Sequence, residues 1–432
     1  MKNSLYRVFG VLFAIVFLPG CFSEEINSHA APEKYGGVML QAFYWDSYNE
    51  TNWTALASQA DEIAAFFDLV WLPPSGNSLG SAQYPNMGYH PVYYFDQNSS
   101  FGTQEQLKRL ISSLKLKGCG AIADIVINHR NGVSDWTDFP VETYKNVTYA
   151  WGPEAICSGD EVTWASGQPM PLGAPDTGDN WDGARDIDHT NPNVQATIEA
   201  YLDFMKNEMG YAGWRYDLVK GYSPCYVGKY NMSGGCKFSV GECWDNYDRI
   251  TQWITGTIID NHIRSGAFDF PLKYALQSAC NYDNWSGLVW KRYGWMNQPA
   301  GLIHMDGFAR FAYTFVDNHD TYVKDGDAIV RNILAANAFV LTHPGIPCVF
   351  YPHWRDHKDA IKAMIAARKQ VGIHNQSKVE ILETSGDIYV AKVSGKYGEL
   401  LIKVGSRYEY NPPAGYTLRT SGPNYAIWTT SG

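Results

Sequence analysis

The chain lacks a basic surplus. Its 34 Lys and Arg stand against 44 Asp and Glu, a formal net charge of −10 over 432 residues. Nucleic-acid binders need a basic face, so that class is excluded. Charged residues are scarce at 18%, while 45% of the chain is hydrophobic. That balance buries a large core and rules out a disordered chain. Beyond the N-terminus no apolar run is long enough to cross a bilayer. No Cys/His spacing builds a zinc site. There is no internal repeat, and no low-complexity tract beyond the short acidic patch at Glu24 and Glu25. Aromatic residues are plentiful instead: 15 Trp, 29 Tyr and 19 Phe make up 15% of the chain, with 40 Gly and 21 Pro to form turns.

The N-terminus carries Lys2 and Arg7, an apolar run over 8–18, then Pro19-Gly20-Cys21. This run is too short for a membrane span but suits the apolar region of a signal peptide. We therefore expect a signal peptide over 1–21 and a linker over 22–36. Leu18-Pro-Gly-Cys21 resembles a bacterial lipobox, in which the cysteine is lipidated. Lipid anchoring through Cys21 and plain secretion both place the mature protein outside the cytoplasm, in the cell envelope or beyond it. With Cys21 set aside, seven cysteines remain, so at least one thiol is free. Cys119, Cys243 and Cys348 lie in or beside apolar runs and read as buried small hydrophobes. Cys225 and Cys236 are read as flanking a short Gly-rich loop and form the candidate disulfide.

From Gly37 onward, eight short apolar runs read as strands: 38–43, 69–72, 121–127, 213–217, 238–242, 267–270, 312–316 and 347–351. Helical patterns lie between several of them. Thr103 to Gln106 makes a capping box ahead of Leu107, Leu110, Ile111 and Leu114. Asn191-Pro192 caps a second helix, and 328–341 and 360–371 read as two more. Eight strand–helix units predict an α/β fold, a (β/α)8 barrel with its chemistry at the carboxyl ends of the strands. The expected barrel covers 37–128 and 186–375. Residues 129–185 have little periodicity and are expected to form an excursion after the third strand; loops this long are usually functional. Short alternating runs over 376–432 predict a C-terminal antiparallel β-domain.

Polar residues gather at the predicted strand ends: Asn128 and His129 after the third, Arg215 and Asp217 at the fourth, Glu242 at the fifth, and His319 and Asp320 after the seventh. Three acids at one barrel mouth suit glycoside hydrolysis, where one carboxyl must be ionised and another must hold a proton. Arg215, two residues before Asp217, points to the same side of its strand. Its charge should favour the ionised form of Asp217.

Four runs of this sequence carry a resemblance: 124–129 (Asp-Ile-Val-Ile-Asn-His), 213–221 (Gly-Trp-Arg-Tyr-Asp-Leu-Val-Lys-Gly), 241–244 (Gly-Glu-Cys-Trp) and 315–320 (Phe-Val-Asp-Asn-His-Asp). They resemble, in order, the four conserved regions of the α-amylase family of glycoside hydrolases. The runs 186–192 and 341–351 bring the similarity closest to plant-type members. The resemblance implies that Asp217 is the nucleophile, Glu242 the general acid and base, and Asp320 the acid that binds sugar hydroxyls. It further implies sugar contacts from Tyr89, His129 and His319, with Arg215 tuning Asp217. Lys220 is expected to contact substrate beyond the cut bond and Trp244 to line the cleft; many members have Lys-His where this chain has Lys220-Gly221. The mechanism implies retention, with the two carboxyls roughly 5–5.5 Å apart.

A Ca²⁺ ion is the implied cofactor, since Asn128, Asp176 and Asp186 offer the hard oxygen ligands it takes. Side chains would come from those three, and backbone carbonyls from Asp179 and Gly221. The expected partners are starch or glycogen and maltooligosaccharides, not nucleic acid, and the expected state is a monomer. A related enzyme that forms maltooligosaccharides or transfers glucosyl chains is the neighbouring alternative. A non-catalytic glycan binder would lack the acids present here.

Overall fold

All eight apolar runs form strands, and their register closes them into a ring in the computed structural model, which describes residues 30–80, 84–134, 137–159, 170–181, 183–304 and 308–430. The strands are β1 (Met39–Gln41), β2 (Leu69–Trp71), β3 (Gly120–Ile125), β4 (Gly213–Tyr216), β5 (Phe238–Gly241), β6 (Gly266–Phe268), β7 (Ala312–Phe315) and β8 (Ile346–Phe350). Each pairs in parallel with its sequence neighbour, and β8 returns to β1 through Met39↔Cys348 and Gln41↔Phe350. Strands covered on both faces read as continuous apolar runs, which is why these eight stand out in the sequence.

Helices between the strands follow their start signals. Thr103 accepts from the Gln106 backbone N–H, and the Gln106 side chain reciprocates, opening α1 (Gln104–Leu116). Asn191 caps α2 (Pro192–Phe204). Further along come α3 (Pro224–Gly234), α4 (Tyr247–Gly256), α5 (Phe270–Tyr282), α6 (Ile333–Thr342) and α7 (Lys358–Val371). Helix α6 starts five residues later than its pattern predicts. The backbone N–H groups of Ile329 and Val330 donate instead to Asp317 (3.2 Å) and Asn281 (3.0 Å), which holds this stretch in a loop.

The expected Cys225–Cys236 disulfide is not formed. The two cysteines stand at opposite ends of the 11-residue α3, about 15 Å apart at 1.5 Å per residue, far beyond disulfide reach. Cys236 is buried and donates to Asn231, while Cys225 is exposed. Cys119, Cys243 and Cys348 are buried, as read from the sequence.

After β3 the chain leaves the barrel. His129 and Arg130 pair antiparallel with Asp186 and Arg185, a two-rung ladder at the root of the excursion. A hairpin, Glu142–Tyr144 with Val147–Tyr149, lies within it. Buried Arg130 fastens that hairpin by an ion pair to Glu142 at 2.8 Å. Of the four tryptophans expected to crowd the excursion at one wall of the cleft (Trp136, Trp151, Trp164 and Trp181), Trp136 and Trp164 lie outside the described residues, as does the expected signal peptide over 1–21.

The C-terminal strands are β9 (Lys378–Thr384), β10 (Tyr389–Ser394), β11 (Glu399–Val404), β12 (Tyr416–Gly422) and β13 (Tyr425–Thr430). They form one antiparallel sheet in the order β9-β10-β11-β13-β12. Its second face holds a small cluster of Ile388, Val390, Leu401 and Trp428, so Trp428 is a core residue, whereas Tyr408 is exposed. At the other end of the described chain, the Ala30 carbonyl accepts from Ser239 of β5 and Tyr313 of β7, both at the starts of their strands.

Arg368 of α7 ties several of these parts together without any carboxylate. Fully buried, it donates to the carbonyls of Leu341 (3.2 Å), His343 (2.8 Å), Gly345 (3.1 Å) and Gly36 (3.3 Å). Burial lowers its pKa to about 9. It thereby satisfies carbonyls left open at and beyond the end of α6. Replacing Arg368 with Met should orphan these carbonyls at about 1–3 kcal/mol each. Thermal melting should fall by about 5 °C or more, and Arg368→Lys should recover only part of the loss because lysine has no fork.

Candidate active site

Strand register builds the site. Asp124 on β3 and Arg215 on β4 are direct neighbours across the parallel pair, and Arg215 in turn faces Val240 on β5. One turn of alternation further, Asp217 and Glu242 follow the ends of β4 and β5. The Asp217 N–H donates to the Ile125 carbonyl and the Glu242 N–H to the Tyr216 carbonyl. Gly241 precedes Glu242 because a Cβ there would lie 2.2 Å from the Trp253 ring.

The fully buried Arg215 guanidinium collects three carboxyls. Its Nη1 donates to Asp124 Oδ1 and Asp217 Oδ1, each at 2.7 Å, and Nη2 lies 2.8 Å from Glu242 Oε2. Glu242 also accepts the Leu218 N–H at 3.1 Å. Leu218 holds a left-handed backbone (φ 44°), unusual for a branched residue. That turn costs about 1–2 kcal/mol, and it aims the N–H at the Glu242 carboxyl.

One cation cannot balance three anions in a low-dielectric pocket, so the acids separate in acidity. Burial first, then the neighbouring carboxylate of Asp217, push Glu242 up to about 8 against the pull of Arg215. Asp217 and Asp124 rise to about 6, again by burial, which Arg215 opposes. The guanidinium thus limits the rise at Asp217 rather than pulling it below the usual carboxylate range. At neutral pH Asp217 is ionised and Glu242 protonated.

A second network branches from the first through Asp124. The Tyr89 hydroxyl donates to Asp124 Oδ2 (2.9 Å), as does the Trp71 indole (3.1 Å). With its proton committed, Tyr89 oxygen accepts from His319 Nε2 at 2.7 Å, which leaves His319 Nδ1 to accept from Gln41 (3.0 Å). The Tyr89 and His319 rings stack at 5.3 Å and 9°. Burial lowers His319 to about 4 and His129 to about 3, so both imidazoles are neutral. His129 Nε2 donates to the Tyr89 carbonyl at 2.8 Å, and the Trp181 ring from the excursion covers it at 4.0 Å. Asp320 sits 3.5 Å from His319 and accepts the Trp45 indole N–H at 3.2 Å.

Of the residues expected from the sequence, Asp217, Glu242, Asp320, Arg215, Tyr89, His129 and His319 meet in this network. Lys220 and Trp244 stand further out: Lys220 pairs with Asp245 at 3.3 Å, and Trp244 stacks on Phe270 at 5.0 Å. Asp124, Trp45 and Gln41 were not singled out, whereas Trp181 is one of the excursion tryptophans expected to wall the cleft. Asp124 had a signal, an acid on the inward alternation of an otherwise apolar strand; the others join only through folding.

Near the root of the excursion, Asn128 donates to Asp186 at 3.1 Å while its own Oδ1 is buried with no hydrogen-bond partner. Gly221 presses on that oxygen so closely that a Cβ would lie 1.8 Å from it. Asp179 N–H donates to the Lys220 carbonyl (2.8 Å), and its carboxylate is taken by Arg249 (2.8 Å). The Asp176 carboxylate accepts from Gly178 N–H. Among the described residues, no three His, Cys, Asp or Glu side chains converge as a metal cluster. An oxygen set that mixes one amide, two carboxylates and backbone carbonyls is compatible with that and with a hard cation.

Two carboxyls of unlike acidity sharing one guanidinium at the mouth of a parallel barrel form an arrangement suited to acid-base cleavage of glycosidic bonds. Comparison with known proteins gives the family. Residues 66–233 match the family described as "Alpha amylase, catalytic domain", and 370–429 match "Alpha-amylase C-terminal beta-sheet domain". The chain is 34% identical over 417 residues to "Probable alpha-amylase 2" of Arabidopsis thaliana, covering 90% of this chain and 93% of that protein. It is 30% identical to "Alpha-amylase 3, chloroplastic" of the same plant, covering 91% of this chain and 44% of that protein. Among solved structures, the α-amylase of Geobacillus thermoleovorans complexed with acarbose superposes with a TM-score of 0.64 at 16% identity, over 92% of this chain and 98% of that one, a likeness of fold. The chain belongs to the α-amylase family: it is a glycoside hydrolase that cleaves internal α-1,4 bonds of glucans.

The acid pair sets a pH dependence. Activity requires one group ionised and one protonated, so kcat/KM should be bell-shaped. It should fall below about pH 6 as Asp217 takes up a proton and above about pH 8 as Glu242 loses one. A rate profile on soluble starch from pH 4 to 10 reads both limbs.

Proposed function

We propose that this enzyme cleaves starch, glycogen and maltooligosaccharides by double displacement with retention. Asp217 attacks the anomeric carbon while Glu242 donates its proton to the departing glycosidic oxygen. The resulting glucosyl ester on Asp217 is then opened by water, which Glu242, now ionised, deprotonates; both groups return to their starting states. Arg215 keeps the nucleophile from picking up a proton after burial has raised its pKa. Asp320, the neutral imidazoles of His129 and His319, and the Tyr89 ring bind the sugar at the cut bond, with Lys220 and Trp244 on its leaving side. The observation that carries this reading is the convergence of the Asp217 and Glu242 carboxyls on the single buried guanidinium of Arg215, with burial pushing Glu242 further up than Asp217.

Asn128, Asp176 and Asp186 side chains, with the carbonyls of Asp179 and Gly221, would hold Ca²⁺. The orphaned, buried Asn128 oxygen supports that assignment. Bound there, the ion would neutralise the two carboxylates and bind the excursion to the barrel beside His129. We also assign 1–21 as a signal peptide, with lipid anchoring at Cys21 or plain secretion to the cell envelope or beyond, and 22–36 as a linker. The barrel takes 37–128 and 186–375, the excursion 129–185 and the β-domain 376–432, in a monomer.

A second reading is favoured by one finding: the chain is 27% identical to the "Glucan 1,4-alpha-maltotetraohydrolase" of Stutzerimonas stutzeri over 90% of its length. Products from soluble starch decide between them. Early random shortening supports endo-hydrolysis, and one dominant oligosaccharide or longer transfer products support the alternative.

Asp217→Asn should lower kcat by about 10⁴-fold or more with the fold intact; unchanged turnover would sink the mechanism. Chelation with EDTA should lower the melting temperature by about 5 °C or more and cut activity, both restored by added Ca²⁺. Melting and activity left untouched would refute the calcium assignment.

A further inference from the structure

Lys273, in the first turn of α5, is completely buried and takes no part in the network around Arg215. Its Nζ donates to Asp317 Oδ1 at 2.8 Å and to the Asp327 carbonyl at 2.6 Å. Asp317, two residues beyond β7, is sealed as fully. Burial pushes Lys273 down and Asp317 up, and the pull of each on the other opposes it. His353 Nε2 lies 3.7 Å from the second Asp317 oxygen, but burial lowers it to about 3, so it brings no charge. Lys273 supplies the compensating cation. Apolar residues in place of such a pair often leave stability unchanged, so stability alone does not account for a lysine here. What the pair adds is one fixed arrangement of the chain around it.

That chain is the loop over 317–327, which carries His319 and Asp320. The Asp317 carboxylate accepts from the Thr321 hydroxyl (3.2 Å) and the Ile329 N–H (3.2 Å). The Thr321 oxygen accepts the Asn318 N–H at 3.0 Å. Asn318 Oδ1 in turn accepts the N–H groups of Asp320 (3.0 Å) and Thr321 (2.8 Å). An unbroken line of bonds thus joins the Lys273 ammonium to the Asp320 backbone. The returning limb is held by the same helix. Lys273, Gln277 and Asn281 stand four residues apart on one face of α5. Gln277 donates to the Gly326 carbonyl (2.6 Å), Lys273 to Asp327 and Asn281 to Ala328 (2.9 Å), three carbonyls in succession. Lys273 is the member that grips both limbs.

We infer that Lys273 is a positioning residue for the sugar-binding side chains of this loop: by holding Asp317 at one end and Asp327 at the other, it sets where Asp320 and His319 stand in the cleft. The inference rests on the reading that these two side chains bind the sugar at the cut bond. The Asp320 carboxylate has the Trp45 indole at 3.2 Å and His319 at 3.5 Å, and neither anchors the backbone beneath it. The clamp on α5 does.

Lys273→Met should lower kcat on maltoheptaose about tenfold or more with KM within about threefold, the split expected of a contact made mainly in the transition state. Hydrogen exchange of the peptide spanning 316–330, read by mass spectrometry, should quicken about tenfold. The double variant Lys273→Met with Asp317→Asn leaves no unpaired buried charge, and it replaces the single variant should that one not fold. Its melting temperature should return to within about 3 °C of wild type while kcat stays low. A pair that serves stability alone would give back kcat together with melting, and that result overturns the inference. Unchanged kcat in Asp320→Asn removes the sugar-binding reading instead. Exchange in the double variant then decides the clamp on its own: quickened exchange upholds it and unchanged exchange removes it.

Discussion

A single buried positive charge organises the catalytic centre. Arg215 is sealed from solvent, and a guanidinium stays charged wherever it is placed, so the fold must surround it with acceptors. It does so with carboxyls from three consecutive strands, β3, β4 and β5. Ionising all three would leave the pocket with a net negative charge, so the pocket favours a retained proton, and Glu242, pushed up to about 8 against about 6 for Asp217 and Asp124, is the acid that holds it longest as pH rises. Charge balance around one arginine thus sets Glu242 and Asp217 apart in acidity before any ligand arrives. The same arginine fixes Asp124, which fixes Tyr89 and Trp71, and Tyr89 fixes the tautomer of His319. Removing the guanidinium would unmake both walls of the cleft.

The barrel was legible in the sequence because parallel strands buried on both faces leave apolar runs with no polar alternation. The acids were legible for a related reason: Asp217 and Glu242 close such runs, and a charge at that position has few structural uses. Pairings made by register or across long sequence distances were not legible. Asp124 lies beside Arg215 only because β3 and β4 align at Ile122↔Gly213, and Gln41 reaches His319 across 278 residues of chain. Local pattern also failed where tertiary bonds competed with it. Residues ahead of α6 have helical spacing, yet their N–H groups serve Asp317 and Asn281. The Cys225–Cys236 pairing failed because a helix, not a loop, lies between them.

The excursion contributes chemistry through contact rather than catalytic groups. Its root is a two-rung ladder at His129 and Asp186, and its far part returns Trp181 onto His129. The histidine is consequently held from the barrel side by the Tyr89 carbonyl and from the other side by an indole. Asn128 and Gly221, one residue from His129 and four from Asp217, pack against each other at the same junction. Any force that loosens the excursion is felt first at this junction.

The pinning of Ala30 at the starts of β5 and β7 gives the molecule a polarity. The chain enters at one end of the barrel, while the acids open at the other. A glucan granule is too large to diffuse to an enzyme, so the enzyme must present its mouth to the granule. Because Ala30 and the acids lie at opposite poles of the barrel, the first described residues stand clear of the mouth that a polymer must meet.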